Sequence, residues 1–408
     1  MAELLDALAV DRARLARVAV AVTGSNGKGS TAAFCAGIAR AYGLRTGLFT
    51  SPHLYRCNER FQVDGTEIGD DELAQLVSRI EMAITAISAR RKEQFGAFEA
   101  MFALACLYFQ ERECDFAVFE AGIGGRYDPV RLIGAYIACV TSVDYEHVEL
   151  LGHSLELIVS DKSDACASGG TIVYGENCAG LRPHLAEYNR NRDVRGLFVR
   201  DQIQIGGESA STSGPRFDFR FGDHDFRGLE ISLKGGFQCN NAAIAVALLL
   251  LWLERAQPGS AHDKIEAAVR SGLRDISWPG RLEAIRQDPL TVIDVGHTPD
   301  AIRQSLAGLK ATYGAEGWIL VVGVSFDTII ATMAHHKGAE ASSIAAAVRK
   351  ANPRATIHVA ATVADAVAVG HRLAASQNRK IYVAGGLFLA AEYAVVACGG
   401  RAQQLTFF

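Results

Sequence analysis

The sequence predicts an α/β protein with a mostly parallel sheet, in two parts: a larger domain over residues 1–276 and a smaller α/β domain over residues 277–408. Three observations predict it. A glycine-rich turn joins an apolar run to a helical pattern near residue 24. Further apolar runs each stop at a polar or acidic residue and give way to a loop or helix. A second series of such runs begins after Ser277-Trp-Pro-Gly-Arg281, where proline and glycine break the preceding helix.

Residues 1–19 read as one amphipathic helix, with Leu4, Leu5, Leu8 and Leu15 on one side. Next comes Val20-Ala-Val-Thr23, then the glycines Gly24, Gly27 and Gly29, then a helix through Tyr42. Glycines at a strand-to-helix turn let backbone amides converge on an anion at the positive end of a helix dipole. Lys28 supplies a point charge for β/γ-phosphates, and Ser30 or Thr31 a hydroxyl for phosphate or magnesium. Gly29 separates the lysine from the hydroxyl, so the spacing departs from the strict Walker pattern.

Arg45–Thr50 reads as a strand that breaks at Pro52, placing Ser51 at a carboxyl end, the edge where open α/β sheets bind ligands. Asp70–Arg91 and Ala97–Glu111 follow as helices, the second with a core face of Phe98, Met101, Phe102, Ala105 and Tyr108. Phe116–Glu120 and Ala138–Val143 are strands whose ends carry Glu120 and then Asp144, Glu146 and His147. Three strand ends therefore deliver Ser51, Glu120 and His147 to the rim that holds the glycine loop, which suits a magnesium-nucleotide site. Leu155–Ala167 is a helix containing Lys162, which reads as a surface residue on pattern alone. Residues 171–235 read as an antiparallel or irregular insertion, and an apolar helix starts near Phe237 with Gln238, Asn240 and Asn241 at its amino end.

In the last third, Thr291-Val-Ile-Asp294, Trp318–Val324 and Ile381–Ala384 are strands, the first leading to Asp294 and His297. The runs Trp318–Val324 and Thr328–Met333 are separated by only Ser325-Phe-Asp327, whereas a parallel crossover takes about a dozen residues. Either the second run is not a strand or a helix usual at this place is absent.

Composition narrows the function. A net charge of −4 gives no basic field for nucleic acid. Nine cysteines without a Cys-x-x-Cys pair or zinc-type cluster read as free thiols of a reducing compartment. The amino end is acidic where a signal peptide is positive, and apolar runs such as Ala242–Trp252 are too short to span a bilayer. A cytoplasmic protein without nucleic-acid or membrane partners is expected, its oligomeric state left open but a monomer favoured.

Taken together, the motifs resemble those of the Mur ligases, and among them the folylpolyglutamate synthase / dihydrofolate synthase family. The resemblance rests on Thr23-Gly-Ser-Asn-Gly-Lys-Gly-Ser30, Phe49-Thr-Ser-Pro-His-Leu54 with Asn58-Glu-Arg-Phe61, Glu120-Ala-Gly-Ile-Gly-Gly-Arg-Tyr-Asp128, His147-Val-Glu-Leu-Leu-Gly152, Lys162, Gln238 with Asn241, Pro279-Gly-Arg281 and Asp294-Val-Gly-His297. It implies a Mur-ligase-like fold, with a central P-loop ATPase domain and a Rossmann-like C-terminal domain. It also implies a ligase that activates a carboxylate with ATP as an acyl phosphate and joins it to an amino acid, most simply glutamate onto dihydropteroate or folate. By the same resemblance Gly24, Asn26, Gly27, Lys28, Gly29, Ser30 and Thr31 hold ATP phosphates, and Asn241, Arg281 and Asp294 contact the nucleotide across the cleft. Ser51 and Glu120 bind one magnesium ion, and His147 with Glu120 serves a second. Lys162 matches a lysine that the family carbamylates, His297 lies near the transferred phosphate, and Asp128 lies near the acceptor. Two other readings are a paralogous ligase acting on another carboxylate and a nucleotide-binding partner protein without turnover.

Departures from the family pattern cluster around substrate. Asp128 is followed by Pro129-Val-Arg131 instead of Ala-Thr-Asn, with Arg131 adding a cation near the acceptor. Glu146-His147 stands for Asp-His, Lys162-Ser-Asp164 for Lys-Ala-Gly, and His297-Thr298 for His-Asn. An Asp-Lys-Asp segment is reduced to Asp327-Thr328, removing groups that could help place the amino acid.

Overall fold

The computed structural model describes residues 1–91, 94–211, 213–321 and 328–406. Among the described residues the principal sheet has eight strands: β1 (Ala19–Thr23), β2 (Thr46–Phe49), β3 (Phe61–Val63), β4 (Thr66–Glu67), β5 (Phe116–Glu120), β6 (Ile137–Val140), β7 (Thr171–Tyr174) and β8 (Arg195–Phe198). Their spatial order is β4-β3-β2-β5-β1-β6-β7-β8, parallel from β2 to β8 and antiparallel at the β3 and β4 edge. Central strands buried on both faces read as unbroken apolar runs, which is why β1, β2, β5 and β6 have no polar alternation.

One face packs on the N-terminal helices and on helices Asp70–Arg91 and Ala97–Glu111. The other packs on helices Lys28–Tyr42, Gln238–Ala256 and His262–Arg274. Register aligns the strand ends: Val22 lies beside Glu120, Thr23 beside Val140 and Phe49 beside Phe119. Phe49, Phe98, Phe102, Phe109 and Phe119 form one aromatic cluster beneath the β2 and β5 ends, with Phe49 and Phe119 centroids 6.2 Å apart. That packing holds the loops after both strands over a stiff floor.

Four expectations are corrected here. The N-terminal segment is two helices, Ala2–Ala7 and Arg12–Val18, because Ala9 turns left-handed and Asp11 caps the second by accepting from the Arg14 amide at 2.9 Å. Residues 171–198 are no insertion: β7 and β8 continue the parallel sheet, joined through helix Arg182–Asn191, whose few apolar residues conceal it. Among the described residues of this segment, only β9 (Gln204–Ser209), β10 (Arg216–Phe221) and β11 (His224–Glu230) form an antiparallel sheet. The helix bearing Lys162 ends at Ser163. The apolar helix runs 19 residues, Gln238–Ala256, long and apolar enough by composition to cross a bilayer; 78% of it is buried inside the protein, where it packs on helix Lys28–Tyr42, β6 and β7.

A six-stranded sheet is drawn from β12 (Glu283–Gln287), β13 (Leu290–Asp294), β14 (Trp318–Val321), β15 (Thr328–Ala331), β16 (Thr356–Val359) and β17 (Lys380–Ala384), ordered β12-β13-β17-β14-β15-β16. All neighbours are parallel except β12 and β13. β14 and β15 are direct parallel neighbours, with Leu320 beside Ile329, so the second apolar run is a strand. The connection, including Asp327, lies outside the described residues.

Candidate active site

A cleft of about 1800 Å³ opens where the carboxyl ends of β1, β2, β5 and β6 face the segment from Ser277 to Ser305. The glycine loop forms its floor. The Ser25 amide donates to the Ser142 carbonyl at 2.9 Å and the Asn26 amide to Ser142 Oγ at 2.8 Å, while Thr141 Oγ1 donates to the Asn26 carbonyl at 2.6 Å. These bonds tie the loop to the end of β6. Two glycines are required by geometry: a Cβ on Gly24 would lie 2.0 Å from Thr141 Oγ1, and Gly27 sits at φ +86° with its absent Cβ 2.5 Å from Asn241 Oδ1. Gly27 offers no side-chain cap to the helix that starts at Lys28, so the first-turn amides remain available to an anion. Lys28 Nζ donates to the carbonyls of Gly24 and Ser25 at 2.8 and 3.3 Å, folded over the loop that a phosphate would occupy.

Beside the loop, Glu120 ends β5 and is only 4% exposed. Its Oε2 accepts from the Ser51 amide at 3.1 Å. Burial pushes its carboxyl up to about 7, against the pull of Lys28, the Ser51 amide, Arg281 and Arg60. Asp128 caps the turn Pro129–Ile133 and accepts from the amides of Gly122, Ile123 and Val130; burial outweighs those bonds and raises it to about 6.

Behind this wall Lys162, 1% exposed, donates from Nζ to Glu146 Oε1 at 2.6 Å. Burial, then the nearby Lys28 charge, lowers the Lys162 pKa, opposed by Glu146. For Glu146 burial pushes upward, but Lys28 and Lys162 outweigh it and hold the carboxyl below its usual range. Asp161, the preceding residue, accepts from the Gly125 and Arg126 amides at 2.9 and 3.3 Å and so joins this helix to the loop after β5.

The far side of the cleft comes from later in the chain. Gln238 Nε2 donates to Ser30 Oγ at 3.4 Å and its Oε1 accepts from Asn241 Nδ2 at 2.9 Å. Trp278 and Arg281 stand over Gly29, whose Cβ would meet their nitrogens at 3.1 and 3.4 Å. Asp294, at the end of β13, accepts from the Leu282 amide, the Gly296 amide and Ser305 Oγ at 3.1, 2.9 and 2.8 Å, which fixes the Arg281 turn. Thr298 Oγ1 donates to Asn26 Oδ1 at 3.2 Å while capping helix Pro299–Tyr313.

Asn26, Gly27, Lys28, Gly29, Ser30, Ser51, Glu120, Asp128, His147, Asn241, Arg281, Asp294 and His297 all line this one cleft. His147 is exposed in a left-handed turn that starts the short helix Val148–Leu151, and His297 is exposed on the facing wall. Four expectations are corrected. Gly24 is absent from the cleft wall; it packs against Thr141 and gives its carbonyl to Lys28 Nζ. Thr31 is fully buried in its helix and is absent from the cleft wall, leaving Ser30 as the hydroxyl at hand. Lys162 is no surface lysine; it lies behind the wall and reaches the cleft through Glu146. Arg131 donates to the Arg126 carbonyl and lines a separate, smaller cavity with Asp164 and Arg192, so it adds no charge to the cleft that Asp128 lines.

Four residues that stand within the quoted motifs, but to which sequence reasoning gave no role in the site, also shape the cleft. His53, Glu59, Arg60 and Trp278 line it. Arg60 is buried beside Glu120, a placement hinted at only by a charge lying between Asn58 and apolar Phe61.

Among the described residues no three His, Cys, Asp or Glu side chains close on one point. Magnesium takes one or two carboxylates and completes its shell with phosphate oxygens and water. A buried carboxylate next to the Ser51 loop, with Lys28 marking the phosphate end, fits that demand.

Comparison with known proteins bears on the fold and the family. The family model for the Mur ligase middle domain matches residues 22–249, and that for the Mur ligase glutamate ligase domain matches residues 280–387. The chain is 32% identical over 297 residues to dihydrofolate synthase/folylpolyglutamate synthase of Bacillus subtilis, covering 72% of this chain and 67% of that one. It is 30% identical over 393 residues to folylpolyglutamate synthase of Lacticaseibacillus casei, covering 93% and 90%. A solved folylpolyglutamate synthase in complex with AMPPCP superposes with a TM-score of 0.81 at 27% identity, covering 97% of this chain and 95% of the other. The Mycobacterium tuberculosis enzyme, at 23% identity and a TM-score of 0.87 over 98% and 94% of the two chains, shares the fold. This chain belongs to the folylpolyglutamate synthase family of the Mur ligases.

Proposed function

We propose that this chain is an ATP-dependent, ADP-forming ligase that joins glutamate to the carboxyl group of dihydropteroate or a folate. The observation that carries the reading is the meeting of Lys28 on the glycine loop and buried Glu120 on the adjacent strand in one cleft, faced by residues of the matched glutamate ligase domain. The named relatives favour a pteroate or folate over other acids.

The acceptor carboxylate attacks the γ-phosphorus of ATP, ADP leaves, and an acyl phosphate forms. The glutamate amine then displaces phosphate, giving an amide, and loses its proton. Lys28, released from the Gly24 and Ser25 carbonyls, offsets charge on the transferring phosphoryl group, and open first-turn amides hold the neighbouring phosphates. Asn241, Arg281 and Asp294 frame the nucleotide from the other wall, and exposed His297 reaches the transferred phosphate. Glu120 and Ser51, with His147 on the facing loop, would hold magnesium, which supplies charge neutralisation at the phosphates when bound. Asp128, pushed up to about 6 by burial, would bond the acceptor's polar head. Lys162 acts through Glu146; burial lowers its pKa, and a carbamylated Lys162, as in the family, would set a carboxylate at this place. Residues 1–276 would carry ATP and acceptor, residues 277–408 the amino acid. Nine free cysteines suit a cytoplasmic enzyme.

A phosphate-release assay over pteroates, folates, other carboxylates and amino acids tests the reading. Release that requires a pteroate or folate together with glutamate, abolished by Lys28→Ala and by Glu120→Ala, is the expected result. Release with another acid and none with folates would move the assignment to a paralogous ligase.

A further inference from the structure

Residues 402–406 follow helix Leu387–Ala397 and pack against His53 and Leu54, which line the cleft. Leu405 is buried in a small apolar cluster with Leu54 and Ala391, against which Tyr55, Val295, Leu387 and Phe388 pack. This anchoring brings the Thr406 carbonyl 2.8 Å from His53 Nε2, and His53 Nδ1 accepts from Arg60 Nε at 2.7 Å. A carbonyl can only accept, so Nε2 carries the hydrogen and Nδ1 is left with the lone pair that Arg60 needs. The tail thereby selects the tautomer that binds the arginine. Between the two side chains Glu59 accepts from the amides of Leu54, Tyr55 and Arg56 at 2.7, 2.7 and 2.6 Å, closing the loop into one unit. His53 and Arg60 are 3% and 5% exposed, and both line the cleft on the Glu120 side.

We infer that residues 402–406 are a strap that acts through His53 to fix the direction of the Arg60 guanidinium in the cleft, making His53 and Leu405 positioning residues for the ligation. The inference rests on the cleft being the ligation site. Neither residue touches the glycine loop, Gln238 or Asn241 in any bond described above, so the strap governs the step that uses Arg60 and leaves nucleotide binding alone.

Loss of a hydrogen bond to a charged group is worth on the order of tenfold in rate. The expected result for Leu405→Asp and for His53→Leu is a kcat lowered by roughly tenfold, with the KM for ATP unchanged within about twofold. His53→Gln, whose amide can donate to Thr406 and whose carbonyl can accept from Arg60, keeps most of the activity. Thr406→Ala, which leaves the carbonyl in place, keeps all of it. The double variant His53→Leu/Leu405→Asp is no worse than either single one. Full activity in the single variants, additive losses in the double, or a His53→Gln as impaired as His53→Leu would overturn the proposal. So would a rise in the KM for ATP that matches the fall in kcat, which marks general damage. Where Leu405→Asp does not fold, Leu405→Ala takes its place with the same comparison. If the wild type itself turns over no pteroate or folate, the proposed substrate falls while the strap is judged separately. Amide hydrogen exchange over residues 54–61 then decides, with faster exchange in the Leu405 variant expected and identical exchange refuting the strap.

Discussion

Glu120→Gln exposes a conflict between stability and function. The Glu120 carboxyl stands at about 7 in the folded chain against 4.5 for an unburdened glutamate, with burial as the main cause. Between those two values the unfolded state releases the proton and the folded state keeps it, so the wild type loses stability as pH rises through this window. A shift of about 2.5 units amounts to about 3 kcal/mol once both states are ionised, at pH 8, and to roughly 1.4 kcal/mol at pH 5.5. Glutamine has the shape of the protonated acid and keeps an oxygen for the Ser51 amide. Urea unfolding in chelator without nucleotide should therefore find Glu120→Gln more stable than wild type at pH 8, with the advantage shrinking by about 2 kcal/mol at pH 5.5. The same variant should release no phosphate. A variant equal to or below wild type at pH 8, or an advantage independent of pH, would refute the account of the buried carboxylate.

Other substitutions probe the rest of the cleft. Gly27→Ala forces a side chain to φ +86° and against Asn241 Oδ1, so it should cost about 1–2 kcal/mol and weaken ATP binding by calorimetry; an unchanged Kd would show that Asn241 yields freely. Glu146→Gln leaves Lys162 buried beside Lys28 without its acid and should destabilise by up to about 3–5 kcal/mol at neutral pH. Because the folded state then holds the Lys162 proton less tightly than the unfolded state, stability should recover as pH rises, and urea midpoints at pH 7 and 9 check the direction. Asp294→Asn keeps one acceptor but sets an amide against the Leu282 N–H, so a loss of about 1–3 kcal/mol and a raised KM for ATP are expected through movement of Arg281. A melting temperature and KM equal to wild type would count against that turn.

What could be read in advance follows from how locally each feature is encoded. The glycine loop and the strand ends at Ser51 and Glu120 are written in contiguous residues: an apolar run, a breaker, a polar residue. Helix Ala97–Glu111 was legible to the residue because its apolar stripe and flanking breaks coincide. β7 and β8 were not, since four-residue strands around a polar helix look like loop until the sheet supplies neighbours. Arg131 shows another limit: sequence proximity to Asp128 says nothing of direction, and one 3₁₀ turn carries the side chain to another cavity. Lys162 shows a third, because its burial depends on Glu146 and on a sheet assembled from distant segments. The partnerships of Thr298 with Asn26 and of Thr406 with His53 join residues hundreds of positions apart, beyond reach of any local pattern.

The position of helix Gln238–Ala256 along the chain has a consequence for biosynthesis. An apolar segment of that length, emerging bare from a ribosome, invites capture by membrane-targeting machinery or by other nascent chains. Here every strand of the eight-stranded sheet, ending at Phe198, is translated earlier, as is the helix Lys28–Tyr42 that it packs against. The receptacle thus exists before its greasiest occupant is made, and the same docking event delivers Gln238 and Asn241 to the glycine loop, so completion of the core and completion of the nucleotide pocket are one step.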